Sequence, residues 1–146
     1  KRAIVERMAE KFGAINDRII EKLEKALEKI EALARRIENR ADQIESRGAD
    51  VSAVRVAIAE IFAAVENAEA KIEEQAGRTY SVADVIEGED TLREKINELK
   101  EVFKSDLLRM REEIKGVKDT VREAAKALKS VVVPEKTDDE DGDSEE

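Results

Sequence analysis

The stretch "ESRGADVSAV", residues 45–54, interrupts a chain that is otherwise patterned as long helices. Gly48 can adopt the left-handed conformation that closes a helix, and Asp50 or Ser52 can cap the helix that follows. The break is short and polar, with an amphipathic pattern on both sides of it. Because an amphipathic helix must bury its apolar stripe against a partner, the stretch predicts a turn between two antiparallel helices.

On the N-terminal side of this turn, apolar residues recur at steps of three and four, which is the spacing of one helix face. The pattern predicts a single helix over about residues 2–46. Two successive steps of four predict a stutter that locally relaxes supercoiling. The apolar positions are Val5, Met8, Phe12, Ile15, Ile19, Leu23, Leu27, Ile30, Ala34, Ile37, Ala41 and Ile44, with the stutter at Ile15, Ile19 and Leu23.

Two further helices are predicted after the turn. The same spacing from Val51 to Ile72 indicates a shorter second helix over 51–76, ended by Gly77. Residues 91–94, "TLRE", form a Thr-x-x-Glu capping box, so a third helix is expected over 91–131, before Pro134. Its apolar seam contains a four-step break from Phe103 to Leu107. The linker over 77–90 has no dominant pattern, and one short helix capped by Ser81 is one interpretation.

The composition agrees with this reading. The chain has 146 residues, of which 43% are charged and 3% aromatic, and such a balance favours long helices over a round core. We therefore predict an all-α fold, an elongated antiparallel three-helix bundle over residues 1–133. A two-helix hairpin that dimerises is the alternative. Intrachain closure is favoured because the tight turn holds the first two helices at high effective concentration.

The negative charge is concentrated at the C-terminus. The net charge is −9, and residues 135–146 carry eight acids against one lysine, which leaves the rest of the chain at −2. We expect 134–146 to be a disordered acidic tail. Its "TDDEDGDSEE" segment lacks the closing glutamate of a calcium loop around Gly142. No basic stripe is present to bind nucleic acid.

The absence of cysteine and histidine removes much ordinary chemistry. There is no disulfide, thiolate nucleophile, imidazole base or Cys/His metal site. We expect no catalytic, cofactor-binding or metal-binding residue, and no cofactor. No apolar run reaches the roughly 20 residues that span a bilayer, and the lack of Trp disfavours binding to a membrane surface. Because the chain starts at Lys1, we expect a processed product or a fragment.

A few residues have more than one interpretation. Asp106 falls on the seam of the third helix beside Arg109, so it fixes helix register, is an exposed flanking acid, or marks a functional site. Tyr80 is expected to pack at one end of the bundle. Gly13 and Gly116 lie inside predicted helices, where close helix approach, local bending or a hinge are the options.

Other charged side chains are expected to form a solvated face. Acid–base pairs four residues apart support a helix from outside by about 0.2 to 0.5 kcal/mol each. Three such pairs are Glu21–Lys25, Glu31–Arg35 and Glu74–Arg78.

Three segments carry a resemblance to a known group. They are "RIENRADQIESRGADVSAVRVAIAEIFAAVENAEAKI", "GRTYSV" and "SDLLRMREEIKGVKDTVREAAKALKS". The chain resembles, over about residues 36–130, uncharacterised helical proteins of uncultivated bacterial lineages that are predicted to be secreted or extracytoplasmic. The resemblance implies export after removal of a signal sequence, and it implies no activity.

The sequence therefore predicts a non-enzymatic structural or protein-interaction module, acting outside the cytoplasm as a monomer or homodimer with a protein partner. The first alternative is a periplasmic chaperone-like protein that binds unfolded clients through an apolar groove. The second is a metal-dependent binding protein or enzyme, which would need converging carboxylates in a deep pocket.

Overall fold

The computed structural model describes residues 2–79 and 89–134. They form three α-helices: α1 (Arg2–Glu45), α2 (Ser52–Ala76) and α3 (Glu89–Lys129). The predicted all-α three-helix bundle is confirmed. The expectations for Tyr80, for a short helix capped by Ser81 and for the tail over 135–146 fall outside the described residues.

The turn between α1 and α2 is built as its sequence predicts. Gly48 has a φ of 96°, in the left-handed region. Its N–H donates to the carbonyl of Glu45 at 2.9 Å, and the N–H of Ala49 donates to that of Ile44 at 3.1 Å. These two bonds define a Schellman motif, which satisfies carbonyls that the helix end leaves without partners. Ile44 and Ala49 are both buried, so the motif also closes an apolar contact.

The side chains of Asp50 and Arg55 fix the start of α2. Oδ1 of Asp50 accepts hydrogen bonds from the backbone N–H of Ser52 at 3.0 Å and from its hydroxyl at 2.6 Å. Arg55, one turn into α2, reaches back to α1 and contacts the carboxylates of Asp42 at 2.6 Å and Glu45 at 2.7 Å. The turn is therefore held by its backbone, by a cap and by ion pairs between the two helices.

The chain divides into two compact units, each containing part of every helix. Unit 1 comprises Lys1–Leu27 and Ala68–Lys115, and unit 2 comprises Glu28–Asn67 and Gly116–Glu146. The assignment of 1–133 to one domain and of 134–146 to a tail stays a prediction.

Unit 2 has an apolar core beside the turn. Partly buried residues of α2, α3 and the segment after α3 pack against it, including Val131 and Val133. The buried members are Ala41, Ile44, Ala49, Val51, Val54 and Ile58.

Helix α3 ends two residues before the predicted end at residue 131. It stops at Lys129, where the N–H and hydroxyl of Ser130 both donate to the carbonyl of Lys126 at 3.0 Å. Beyond it, three β-branched valines leave the helix, and two of them pack on the core of unit 2. The early end of α3 thus coincides with the packing of Val131 and Val133 on this core. α3 also starts at Glu89, two residues before the predicted position.

The two helical glycines do not mark close helix contacts. A methyl group built at Gly13 or Gly116 would have no atom within 4 Å, so close approach is the wrong interpretation at both positions.

The three predicted pairs at four-residue spacing do not form ion pairs in the structure. Arg78 lies beyond the end of α2 and pairs with Asp106, while Arg35 lies over the ring of Phe62, 5.6 Å from its centroid. In two of the three pairs, the arginine contacts another helix instead.

Candidate functional site

Unit 1 contains three buried polar side chains, one from each helix. Asn16 and Gln75 are each 2% exposed, and Asp106 is 1% exposed. Among the residues whose burial the structure describes, every other buried side chain is apolar. We refer to these three residues, with Arg78 and Arg109, as the polar cluster.

Asn16 and Gln75 form a reciprocal pair between α1 and α2. The side-chain amide of Gln75 donates to Oδ1 of Asn16 at 2.9 Å, and Nδ2 of Asn16 donates to the backbone carbonyl of Gln75 at 3.1 Å. This carbonyl lies in the last turn of α2, where no helical N–H follows to bind it in the usual way. The N–H of Arg78 also donates to it at 3.1 Å. Asn16 therefore binds both the side chain of Gln75 and the backbone at the end of α2.

Asp106 lies between two arginines. Nη1 of Arg78 is 3.3 Å from both carboxylate oxygens, and Nη1 of Arg109 is 3.2 Å from Oδ1. The carboxylate is closed to solvent, whereas the arginine side chains are 40% and 54% exposed. The charge of Asp106 is thus compensated by cations that keep part of their own hydration, which lowers the cost of burying it.

Unit 1 also contains a pair of buried aromatic rings and an ion pair between helices. The rings of Phe12 and Phe103 lie 4.9 Å apart between centroids and are tilted by 33°. Partly buried apolar residues surround them, namely Met8, Ile15, Leu99 and Leu107. Nζ of Lys71 contacts Oε2 of Glu113 at 2.9 Å, which adds an ion pair between α2 and α3.

Of the three interpretations of Asp106, its burial excludes the exposed flanking acid, and Arg109, beside which the sequence placed it, is one of its partners. The four-step break from Phe103 to Leu107 is wrong, because Asp106 takes the buried position and Leu107 is only partly buried. The steps of four instead join Asp106, Met110 and Ile114. Because Arg78 and Arg109 pair with its carboxylate, Asp106 can occupy the buried seam position that was predicted for Leu107.

Sequence reasoning missed Asn16, Gln75 and the role of Arg78. Gln75 had a signal, since it stands three residues after Ile72 and continues the seam of α2. For α1 the predicted seam positions Ile15 and Ile19 are partly buried, and their neighbours Asn16 and Ile20 are buried instead. The two successive steps of four in α1 therefore join Phe12, Asn16 and Ile20, three residues before the predicted stutter at Ile15, Ile19 and Leu23.

The chemistry of the polar cluster suits holding helices rather than transforming a substrate. The amides of Asn16 and Gln75 do not ionise, and both oxygens of Asp106 accept hydrogen bonds from arginine. A buried polar group that needs a specific partner penalises every other helix alignment. The cluster can therefore fix the register of the three helices. Within the described ranges, no three acidic side chains converge in a way that could hold a metal ion.

No helix among the described residues is both long enough and apolar enough to cross a membrane. Comparison with known protein families, curated proteins and solved structures gives no significant match for this chain. The resemblance to secreted helical proteins stays a prediction.

Proposed function

We propose that the chain is a non-enzymatic structural or protein-interaction module, a helical bundle that presents its outer faces to a protein partner. The observation that carries this proposal is the state of Asp106. This buried carboxylate is the group with most potential for chemistry, yet it is 1% exposed and bound by Arg78 and Arg109. A catalytic carboxylate must reach its substrate, so we assign Asp106 to holding the bundle.

Register fixed by polar contacts is useful to such a module. A bundle held by apolar contacts alone tolerates sliding between helices, whereas paired amides and a buried ion pair favour one alignment. Binding to a partner then requires less ordering, because the binding face is already formed. Action outside the cytoplasm is part of the proposal and rests on the resemblance alone.

The chaperone-like alternative requires seam residues that are open to clients. The seams of the described helices are largely buried, and the exposed large apolar side chains occur at separate positions: Ile4, Leu33, Val56, Val102, Leu108 and Val132. This distribution supports a closed bundle over a client-binding groove.

Site-specific photo-crosslinking in the producing cells tests the proposal. A photoreactive amino acid is placed singly at Val56, Leu108 or Val132, three exposed apolar positions on different segments. We expect one position to give a discrete protein adduct while the others do not. Position dependence is the signature of a specific interface.

Both the crosslinking and a fractionation experiment can contradict the proposal. Adducts of the same pattern from all three positions, or from none of them, would argue against a specific protein partner. Cell fractionation of the same tagged chain tests the location, and recovery only with cytoplasmic markers would refute export.

A further inference from the structure

The outward face of α2 in unit 2 is unusually apolar. Val56 is 61% exposed, and three exposed alanines lie on the same side of the helix. We call these four residues the outer strip: Ala53, Val56, Ala59 and Ala63. Their steps of three and four keep them along one side, away from the face that packs into the core.

The opposite face of the same segment is buried. Val54, Ile58, Ile61 and Val65 are all 4% exposed or less. Between Ala53 and Val65, α2 is therefore apolar on two sides, with two charged residues in that span, Arg55 and Glu60. A helix that is apolar all round is normally covered on every side, so the outer strip indicates a neighbour outside the bundle.

The charges beside the strip indicate what kind of neighbour fits. Arg55 is bound to Asp42 and Glu45 of α1. Glu60 and Glu66 are exposed, and neither forms an ion pair with any described residue. The strip is thus flanked by uncompensated negative charge.

A second copy of the chain fits this surface poorly. Pairing of two strips would bring Glu60 and Glu66 of both copies, four like charges, to one interface. Like charges so placed are destabilising. A helix with lysine or arginine beside an apolar stripe avoids this repulsion and gains from the same glutamates.

We propose that the outer strip binds a cationic amphipathic helix of a partner protein, through an apolar stripe flanked by lysine or arginine. The strip would pack against that stripe, and Glu60 and Glu66 would pair with the flanking cations. Small alanine side chains let the two helices approach closely, with Val56 as the largest apolar contact. This inference rests on the proposed function and names the partner class for it.

Peptide binding to the full chain tests the inference. The probe is a synthetic helical peptide with Ala and Leu at heptad positions a and d and Lys at e and g. The comparison peptide has Glu at e and g. Fluorescence anisotropy at low and high salt is expected to show about tenfold tighter binding of the Lys peptide, a difference that falls with salt.

Two matched variants locate the binding. Val56→Lys is expected to weaken binding of the Lys peptide about tenfold by adding a like charge and removing the apolar contact. Leu108→Lys changes a residue of similar exposure, 57%, on α3 and should leave binding within about twofold. Both substitutions are at exposed helix positions where lysine is a good helix former, so folding is preserved.

Four results would overturn the inference. Equal binding of the Lys and Glu peptides would show that the outer strip does not prefer a cationic partner. Equal loss from Val56→Lys and Leu108→Lys shows unspecific adhesion. A dimer in sedimentation that Val56→Lys abolishes assigns the strip to a second copy. Photo-crosslinks at Leu108 or Val132 with none at Val56 would refute this site yet leave the proposed function standing.

Discussion

The carboxylate of Asp106 lies 3.3 Å from Nη1 of Arg78 at each of its two oxygens, although the residues are 28 positions apart. Arg78 lies two residues after Ala76, the last residue of α2, so this contact ties the chain just beyond one helix to the middle of another. The end of α2 is also bound by Asn16 of α1. Polar contacts from two helices thus converge on the same helix terminus.

A double-mutant cycle of Asp106→Asn and Arg78→Gln measures the strength of this contact. We expect a coupling free energy of about 1 to 2 kcal/mol in urea unfolding, between the values typical of surface and of buried ion pairs. The intermediate value follows because Asp106 is buried while Arg78 is 40% exposed.

The control for this cycle is the pair Asp119 and Arg122, which is exposed on both sides and lies on the same helix. Asp119→Asn with Arg122→Gln should give about 0.5 kcal/mol or less. A coupling at Asp106 no larger than this control would show that the buried carboxylate does not hold the helices.

Replacing Asn16 tests the second half of the polar cluster. Asn16→Ala removes two hydrogen bonds and leaves the buried amide of Gln75 without that acceptor. The expected loss is about 1 to 3 kcal/mol in the free energy of unfolding. Asn39→Ala, at an exposed position of the same helix, should change it by about 0.5 kcal/mol or less. Similar effects from the two substitutions would contradict a structural role for Asn16.

The contrast between the turn and the polar cluster shows what the sequence can specify. The conformation of Gly48 and the cap at Asp50 depend on neighbouring residues, so both were predictable from the residues themselves. The pairing of Asn16 with Gln75 spans 59 positions and depends on how two helices face each other. A rotation of α1 by one residue exchanges Ile15 for Asn16 at the core, and periodicity alone does not separate these alternatives.

Gly48→Ala tests the conformation of the turn. With φ at 96°, a Cβ at this position is strained, and we expect a loss of about 1 to 2 kcal/mol in the free energy of unfolding. A steric clash is not the cause of this loss, because the nearest atom to an added methyl group is Cγ of Pro134 at 3.7 Å. Gly48→Asn should cost less than Gly48→Ala, since asparagine tolerates the left-handed region better. Equal losses would indicate a steric effect.

The helical glycines are expected to behave in the opposite way. Gly13→Ala and Gly116→Ala should each raise the free energy of unfolding by up to about 1 kcal/mol, because alanine favours the helix and the added methyl meets no atom within 4 Å. Thermal melts of the single and double variants check this. A loss of stability at either position would support bending there and would contradict a regular helix with open space beside it.

Asp50 should make the start of α2 sensitive to acid. The hydroxyl of Ser52, and then its backbone N–H, lower the pKa of Asp50 below its ordinary value of 3.8, and desolvation opposes them. Because the pKa is lower in the folded state, the stabilisation is complete above 3.8 and is lost as the pH falls through the folded-state pKa. Asp50→Asn keeps an acceptor oxygen but removes the charge, so the difference in unfolding free energy between the parent chain and this variant should shrink only at acid pH.

Ser52→Ala separates the cap from the general effect of acid. It removes the hydroxyl, the larger cause of the lowered pKa, and leaves the backbone N–H in place. We expect the carboxyl resonance of Asp50, followed by NMR, to titrate at a higher pH in this variant, closer to 3.8. The acid-induced loss of stability at this site should then be smaller, because the folded-state pKa lies closer to the ordinary value of 3.8. An unchanged titration would show that the contact with Ser52 at 2.6 Å does not govern the ionisation of Asp50.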